Sequence, residues 1–194
     1  MTTAPIRTAT PTDADGAVAV LSLAFSSDPA CRWAWPDPQQ YLTNFPAFVR
    51  AFGGRAFERG TAYCLDGYTG AGLWLPPGIQ PDEEAVGEVF QRSVSEQRSA
   101  DVFAVLEQMG SYHPSEPHWY LPIIGVDPAH QGRGYGSALL QHALAVCDRD
   151  GALAYLESSN PRNIPLYERH GFELLGTIQA GASPKLFPML RKPR

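Results

Sequence analysis

Apolar residues recur along this chain at two different spacings, and the switches between them divide it into strands and helices. Ile6-Arg7-Thr8-Ala9 alternates as a short strand, and Thr12-Asp13 then precedes Ala17, Val20, Leu21, Leu23 and Ala24 at helical spacing. That pattern predicts a capped helix stopping near Phe25. Asp28-Pro29 and Trp35-Pro36-Asp37-Pro38 are expected to break the chain, and a second helix follows over about 40–58, with Leu42, Phe45, Phe48, Val49 and Phe52 inward and a kink at Pro46. Residues 61–65 and 71–75 are apolar runs around the turn-rich 66–70, which predicts a hairpin. Residues 82–110 are polar and Gln/Glu-rich, with helical patches on either side of Ser95 and Ser99, and read as a helical insertion or lid.

The second half is more regular. Residues 118–126 form the most apolar strand candidate, and Pro122 and Gly125 mark where its pairing should break, as at a bulge that admits a ligand. Leu139, Leu140, Ala143, Leu144 and Val146 make one helical face ended by Asp150-Gly151. A strand at 154–157, a short helix at 162–169 and a closing pair of strands at 172–177 and 185–190 complete an α/β (α+β) chain without internal repeats.

Chemistry enters at Gly125-Val126-Asp127-Pro128-Ala129-His130-Gln131-Gly132-Arg133-Gly134-Tyr135-Gly136-Ser137, where a strand passes through a glycine-dense turn into a helix. Glycines at alternate positions let successive N–H groups converge on one oxyanion cluster, and the helix adds the positive end of its dipole. Phosphate is the expected guest. A Walker loop would need Gly-Lys-Ser/Thr after four residues, and no such lysine is present. A dinucleotide fingerprint fails on the spacing of Gly132, Gly134 and Gly136, and Asp148 and Asp150 fall at a helix end rather than at a strand tip.

Composition narrows the class. With 194 residues, 44% of them hydrophobic and 18% charged, one soluble domain over 1–194 is expected, and no apolar run approaches a membrane span. The start of the chain has no apolar signal core, so a cytoplasmic location is expected. Cys31, Cys64 and Cys147 suggest neither disulfides nor a zinc site, and no metal is expected. A net charge of −5 argues against nucleic acid as a partner. A monomer or a homodimer paired through the terminal strands is compatible with the sequence.

Gln131, Gly134 and Gly136 occupy the fixed places of Gln/Arg-x-x-Gly-x-Gly/Ala, and Asn160 stands seven residues before Tyr167, with Gly171-Phe172 just after. In these two motifs the chain resembles the GCN5-related N-acetyltransferase (GNAT) superfamily over about 119–172. His113-Pro114-Ser115-Glu116-Pro117-His118-Trp119-Tyr120-Leu121, Ala24-Phe25-Ser26-Ser27-Asp28-Pro29-Ala30 and 163–172 also look like the puromycin N-acetyltransferase group. The resemblance implies a central mixed, mostly antiparallel sheet of six to seven strands, splayed at the fourth strand and flanked by helices. It implies acetyl-CoA (coenzyme A) as cofactor, bound within about 118–172, and acetyl transfer by direct attack of a small-molecule primary amine, with antibiotic-like molecules among the candidates. A protein or peptide N-terminal acetyltransferase and a non-catalytic acyl-CoA-binding domain are the alternatives.

On that basis the backbone at Ile124, Gly125 and Val126 is expected to meet the thioester oxygen and the pantetheine amides. Gln131, Gly132, Arg133, Gly134, Tyr135, Gly136 and Ser137 would hold the pyrophosphate, while Asn160 and Asn163 either meet pantetheine or cap the short helix. Tyr167 is the candidate general acid, because a phenol of pKa ~10 stays protonated beside a thiol of ~8.5. For the base, His118 and Glu116 lie at even offsets from Val126 and so are expected on its face, with water alone as a further option. Phe25, Trp33, Trp74, Trp119 and Tyr120 are the candidate acceptor-binding residues.

Overall fold

The computed structural model describes residues 5–194; Met1 to Ala4, the start of the segment read as lacking a signal core, lie outside the described residues. Seven strands form one sheet in the order β1 (Ile6–Thr8), β2 (Ala62–Leu65), β3 (Gly70–Leu75), β4 (His118–Val126), β5 (Leu153–Ser158), β7 (Phe187–Arg191), β6 (Glu173–Leu174). Every neighbouring pair is antiparallel except β4 and β5, which run parallel. One face carries α1 (Ala14–Ala24), α3 (Pro38–Gly53), α5 (Glu83–Ser93) and part of α6 (Glu96–Tyr112). The other carries α7 (Tyr135–Arg149) and α8 (Ile164–Arg169). The expected mixed, mostly antiparallel sheet flanked by helices is therefore present. No helix among the described residues is long and apolar enough to cross a membrane.

Both Asp-Pro pairs begin helices where breaks were expected. Asp28 accepts the N–H groups of Ala30 and Cys31 and opens a short α2 (Pro29–Ala34), and Asp37 accepts the Gln40 N–H and opens α3. Proline at the first helical position loses only an N–H that would have had no partner there. The 40–58 helix is two helices, α3 and α4 (Arg55–Arg59), meeting at Gly53-Gly54, and α3 continues through Pro46. Its buried stripe uses Tyr41, 2% exposed and bonded through its hydroxyl to the Ser22 carbonyl, instead of Leu42, which is 59% exposed. Leu23 likewise faces outward.

The break in β4 falls at Pro122 and not at Gly125. Gly125 pairs in register with Ala71, whereas Leu73↔Ile123 is followed by Leu75↔Tyr120, which leaves one extra residue in β4 around Leu121-Pro122. The bulge reverses the faces of the strand. Trp119 and Leu121 join the core under α7, Tyr120 joins the core under α1 and α3, and beyond Pro122 the parity swaps, so that Ile123 faces α1 and α3 while Val126 faces α7.

Gly125 has a different task. A Cβ there would lie 2.6 Å from Ala24 Cβ and 3.3 Å from Leu21 Cδ2, so the glycine allows α1 to sit directly on β4. Gly125→Ala is expected to push α1 away and to cost about 1–3 kcal/mol. Thermal denaturation should show this as a fall of several degrees in Tm; an unchanged Tm would mean that α1 shifts without loss.

Candidate active site

The parallel pairing of β4 with β5 stops at Tyr120↔Tyr155, although β4 continues to Val126 and β5 to Ser158. Beyond that point the two strands diverge. After Tyr120, β4 stays paired with β3 but has no partner on its β5 side, which leaves an edge to which an amide-bearing chain can add as a strand would. Leu121, Pro122, Ile123 and Ile124 from one side and Leu156, Glu157, Ser158 and Ser159 from the other line the cavity that fills the opening.

At the far end of β4, Asp127 caps a single turn at Pro128–His130, and the Gln131 side chain donates back to the Val126 carbonyl at 3.1 Å, closing the loop on its strand. Gly132 (φ 75°) and Gly134 (φ 84°) are in the left-handed region, where a side chain is costly, and Gly134 is the residue from which α7 starts. Residues 131–134 are exposed, so their N–H groups and the first turn of the 15-residue α7 are accessible to an anion. Ser137, in that turn, shares a 2.8 Å hydrogen bond with His170 Nε2. A flexible diphosphate chain leading to a thioester in the splay fits both features.

Tyr167 projects from α8 into the same cavity. It is buried, its ring meets Phe172 edge to face at 6.0 Å, and burial followed by the nearby Asp28 carboxylate pushes its phenol well above the ordinary tyrosine range. It is thus protonated throughout the physiological range. Asp28 joins the two halves of the site: Oδ1 caps α2, and Oδ2 accepts from Ser159 Oγ at 2.6 Å.

The rest of the cavity is apolar and strongly aromatic. Phe25, Trp33, Trp35, Phe48, Phe52 and Phe90 form one wall, Trp35 stacking on Phe90 at 5.2 Å and donating its indole N–H to Ser93 Oγ at 2.8 Å. α6 adds Val102, Val105, Leu106 and Met109, and the segment before β7 adds Ser183, Pro184 and Leu186. Residues 82–110 thus supply side chains to the cavity rather than an appendage remote from it. The segment before β7 is tied to α6 by reciprocal Gln108–Gln179 hydrogen bonds and by Asp101 accepting from Ala182 N–H.

Of the residues expected from sequence to meet the acceptor, Phe25 and Trp33 line this cavity, whereas Tyr120 lines a neighbouring one and reaches this site only through its hydroxyl, which donates to Glu157. Trp74 and Trp119 do not. They are 1% and 6% exposed in the core under α7, because alternation along β3 and β4 turns them to the opposite face of the sheet. Glu116 is exposed and its carboxylate accepts from the Ser115 hydroxyl, while His118 faces His113, because the bulge at Pro122 cancels the even-offset relation to Val126. Asn160 caps the turn at Pro161–Asn163 through the Arg162 N–H, and Asn163 borders the cavity. Arg133 is exposed, and Tyr135 is half-buried against the α7 core.

Glu157 escaped the sequence reading. It is the one charged residue of β5, and its side chain is 3% exposed between the cavity and Tyr120. An acid in an otherwise apolar strand was the signal available for it. Asp28 was hidden behind its role as a chain breaker. Among the described residues no group of three or more His, Cys, Asp or Glu is placed to hold a metal ion.

Comparison with known proteins agrees with this arrangement. A model of the acetyltransferase (GNAT) family matches residues 57–172. An uncharacterized N-acetyltransferase of Schizosaccharomyces pombe is 27% identical, over 91% of this chain and 78% of that protein. The crystal structure of histone acetyltransferase HPA2 and related acetyltransferase from Corynebacterium glutamicum matches with a TM-score of 0.71 at 26% identity, covering 100% of this chain and 98% of that one. An agmatine N-acetyltransferase mutant matches with a TM-score of 0.69 at 13% identity, covering 98% and 100% of the two chains, a likeness of fold alone.

Proposed function

Since the chain belongs to the acetyltransferase (GNAT) family, we propose that it moves acetyl from acetyl-CoA to the primary amine of a small, largely apolar or aromatic molecule by direct attack. The observation that carries the acceptor class is the cavity wall, six aromatic side chains with a single buried carboxylate, Glu157. A polyamine would bring further ammonium groups into this wall, each losing several kcal/mol of hydration without a partner. A peptide would have to lay its polar backbone along Pro184, Leu186 and the apolar side chains of α6, which line the cavity. The amine of an antibiotic such as puromycin falls within the proposed class.

In the reaction, the β4 edge at Ile124, Gly125 and Val126 aligns the pantetheine amides and polarises the thioester carbonyl. The turn at 131–137 fixes the pyrophosphate through backbone N–H groups. Acetyl-CoA supplies the activated acyl group, and Tyr167 donates a proton toward the departing sulfur. The Phe25, Trp33 and Trp35 wall holds the acceptor so that its nitrogen reaches the splay.

Thiol release from acetyl-CoA, measured with phenethylamine, a medium-chain alkylamine, puromycin, spermidine and a short peptide, tests the acceptor class. kcat/KM for the best apolar or aromatic amine is expected to exceed that for spermidine and the peptide by tenfold or more. Preference for spermidine or the peptide would overturn the class, and tight acetyl-CoA binding without release on the whole panel would favour a non-catalytic acyl-CoA-binding domain.

A further inference from the structure

Beside the acceptor cavity lies a short chain of imidazoles whose hydrogen-bond directions are fixed by their partners. His118 Nδ1 is 2.8 Å from the Glu116 carbonyl oxygen, which can only accept, so His118 Nδ1 carries a proton. His118 Nε2 in the neutral ring is then an acceptor, and it lies 3.0 Å from His113 Nδ1, which must be the donor. With its proton on Nδ1, neutral His113 turns the bare lone pair of Nε2 toward Glu157 Oε1 at 3.5 Å. Two acceptors therefore face each other. The same Glu157 oxygen is buried and makes no hydrogen bond among the described residues, the Tyr155 hydroxyl beside the carboxylate being unpaired as well, while the other oxygen is held by the Tyr120 hydroxyl at 2.8 Å.

A buried carboxylate oxygen opposite a bare imidazole nitrogen is a slot of fixed orientation that lacks one proton. We propose, on the reading that the protein acetylates an amine, that Glu157 with His113 takes the proton from the incoming ammonium and that His113 passes it to solvent through a second cavity. Glu157 borders the acceptor cavity, whereas His113 and Tyr120 line that second cavity, whose rim includes the exposed Glu83 and Glu107. The proton thus enters on one side of the pair and leaves on the other, without crossing the acetyl-CoA site.

The balance is complete. R–NH3+ gives one proton to the Glu157–His113 pair and becomes R–NH2, whose lone pair forms the C–N bond to the thioester carbon. As the C–S bond breaks, the sulfur takes the Tyr167 proton, and the new amide nitrogen sheds a proton that restores the phenol. The proton on the pair leaves through the second cavity, so each turnover releases one.

The groups facing Glu157 are the phenols of Tyr120 on β4 and Tyr155 on β5, both pushed up by burial and then by the Glu157 charge, and His113 at the end of α6. Tyr112 adds its influence on Tyr155. Burial holds His118 below the usual histidine range, which keeps it neutral and the chain oriented.

Glu157→Gln keeps the shape and places an amide N–H donor in the slot. With an accepted amine, the wild-type kcat/KM should rise with pH as the pair loses its proton, then level off. In E157Q it should be about thirtyfold lower at pH 7 and should climb only as the amine's own pKa is approached, with acetyl-CoA affinity and Tm unchanged. His113→Phe keeps a ring against Tyr120 and Tyr155, 4.6 and 4.5 Å away between centroids. It should lower kcat about tenfold and displace the acidic limb while leaving KM for the amine near wild type. An E157Q profile within threefold of wild type from pH 6 to 10, or an H113F enzyme with wild-type kcat and limb, would overturn the assignment. Absence of turnover by the wild type on every amine would instead reject the acetyl-transfer reading itself.

Discussion

Tyr167→Phe is expected to lower kcat for the acceptor amine by about a hundredfold, the usual scale of a lost proton donor, while acetyl-CoA binds as before. The hydroxyl is the atom at issue. The ring is held by burial and by the edge-to-face contact with Phe172 at 6.0 Å, both of which phenylalanine preserves. The phenol is raised by burial and by Asp28, so it does not ionise while waiting for substrate, and no loss of activity below pH 10 should trace to it. A donor that the site keeps neutral is worth most when negative charge appears beside it, and that happens only as the thiolate departs. Steady-state kinetics with calorimetric titration of acetyl-CoA will check this. A kcat within threefold of wild type would make Tyr167 a packing residue.

Gly134→Val is expected to weaken acetyl-CoA binding tenfold or more, with Gly136→Ala as its control. At Gly134 the backbone has φ 84° and ψ 1°, a conformation costing a residue with a Cβ about 1–2 kcal/mol, and more for a β-branched one. Relief of that strain would turn the N–H groups before α7 away from the pyrophosphate. A Cβ at Gly136 would instead point inward, 3.7 Å from Leu166 Cδ2 and 3.9 Å from Val126 Cγ2, in ordinary contact. The control should therefore bind within threefold of wild type. Equal losses in the two variants would mean that the turn contributes to folding and not to a cradle.

Much of the turn proposed to hold the cofactor was legible because its signals are local. The turn after β4 needs glycines at Gly132 and Gly134 whatever packs around it, so its residues announce the geometry before the fold is known. The strand at 118–126, the helix after it and Tyr167 on a short helix follow from spacing for the same reason. The chain does break at both Asp-Pro pairs, but sequence alone did not show that each also opens a helix, because proline ends some helices and begins others. The cap bonds from Asp28 to Ala30 and Cys31, and from Asp37 to Gln40, distinguish the two cases.

The cavity proposed for the acceptor was hardly legible. Its wall joins Phe25 and Trp33 to Phe90, Met109, Glu157 and Leu186, residues brought together only when α2, α3, α5 and α6 close over the splay. The expectation for Glu116 and His118 failed at one residue. Counting alternate positions back from Val126 presumes an unbroken pleat, and the extra residue opposite Leu73 to Leu75 exchanges the faces of β4.

By itself the sequence determined the order of the strands and of the longer helices, the glycine turn at 131–137 and the place of Tyr167, because backbone dihedral demands and helical spacing are written within a few neighbouring residues. Only the tertiary structure decided which face each β4 side chain takes, that Trp74 and Trp119 are core, and that Glu157 meets His113 across 44 positions of chain with no donor between them. Burial, register and the direction of a hydrogen bond depend on what lies opposite, and that partner is chosen by the fold.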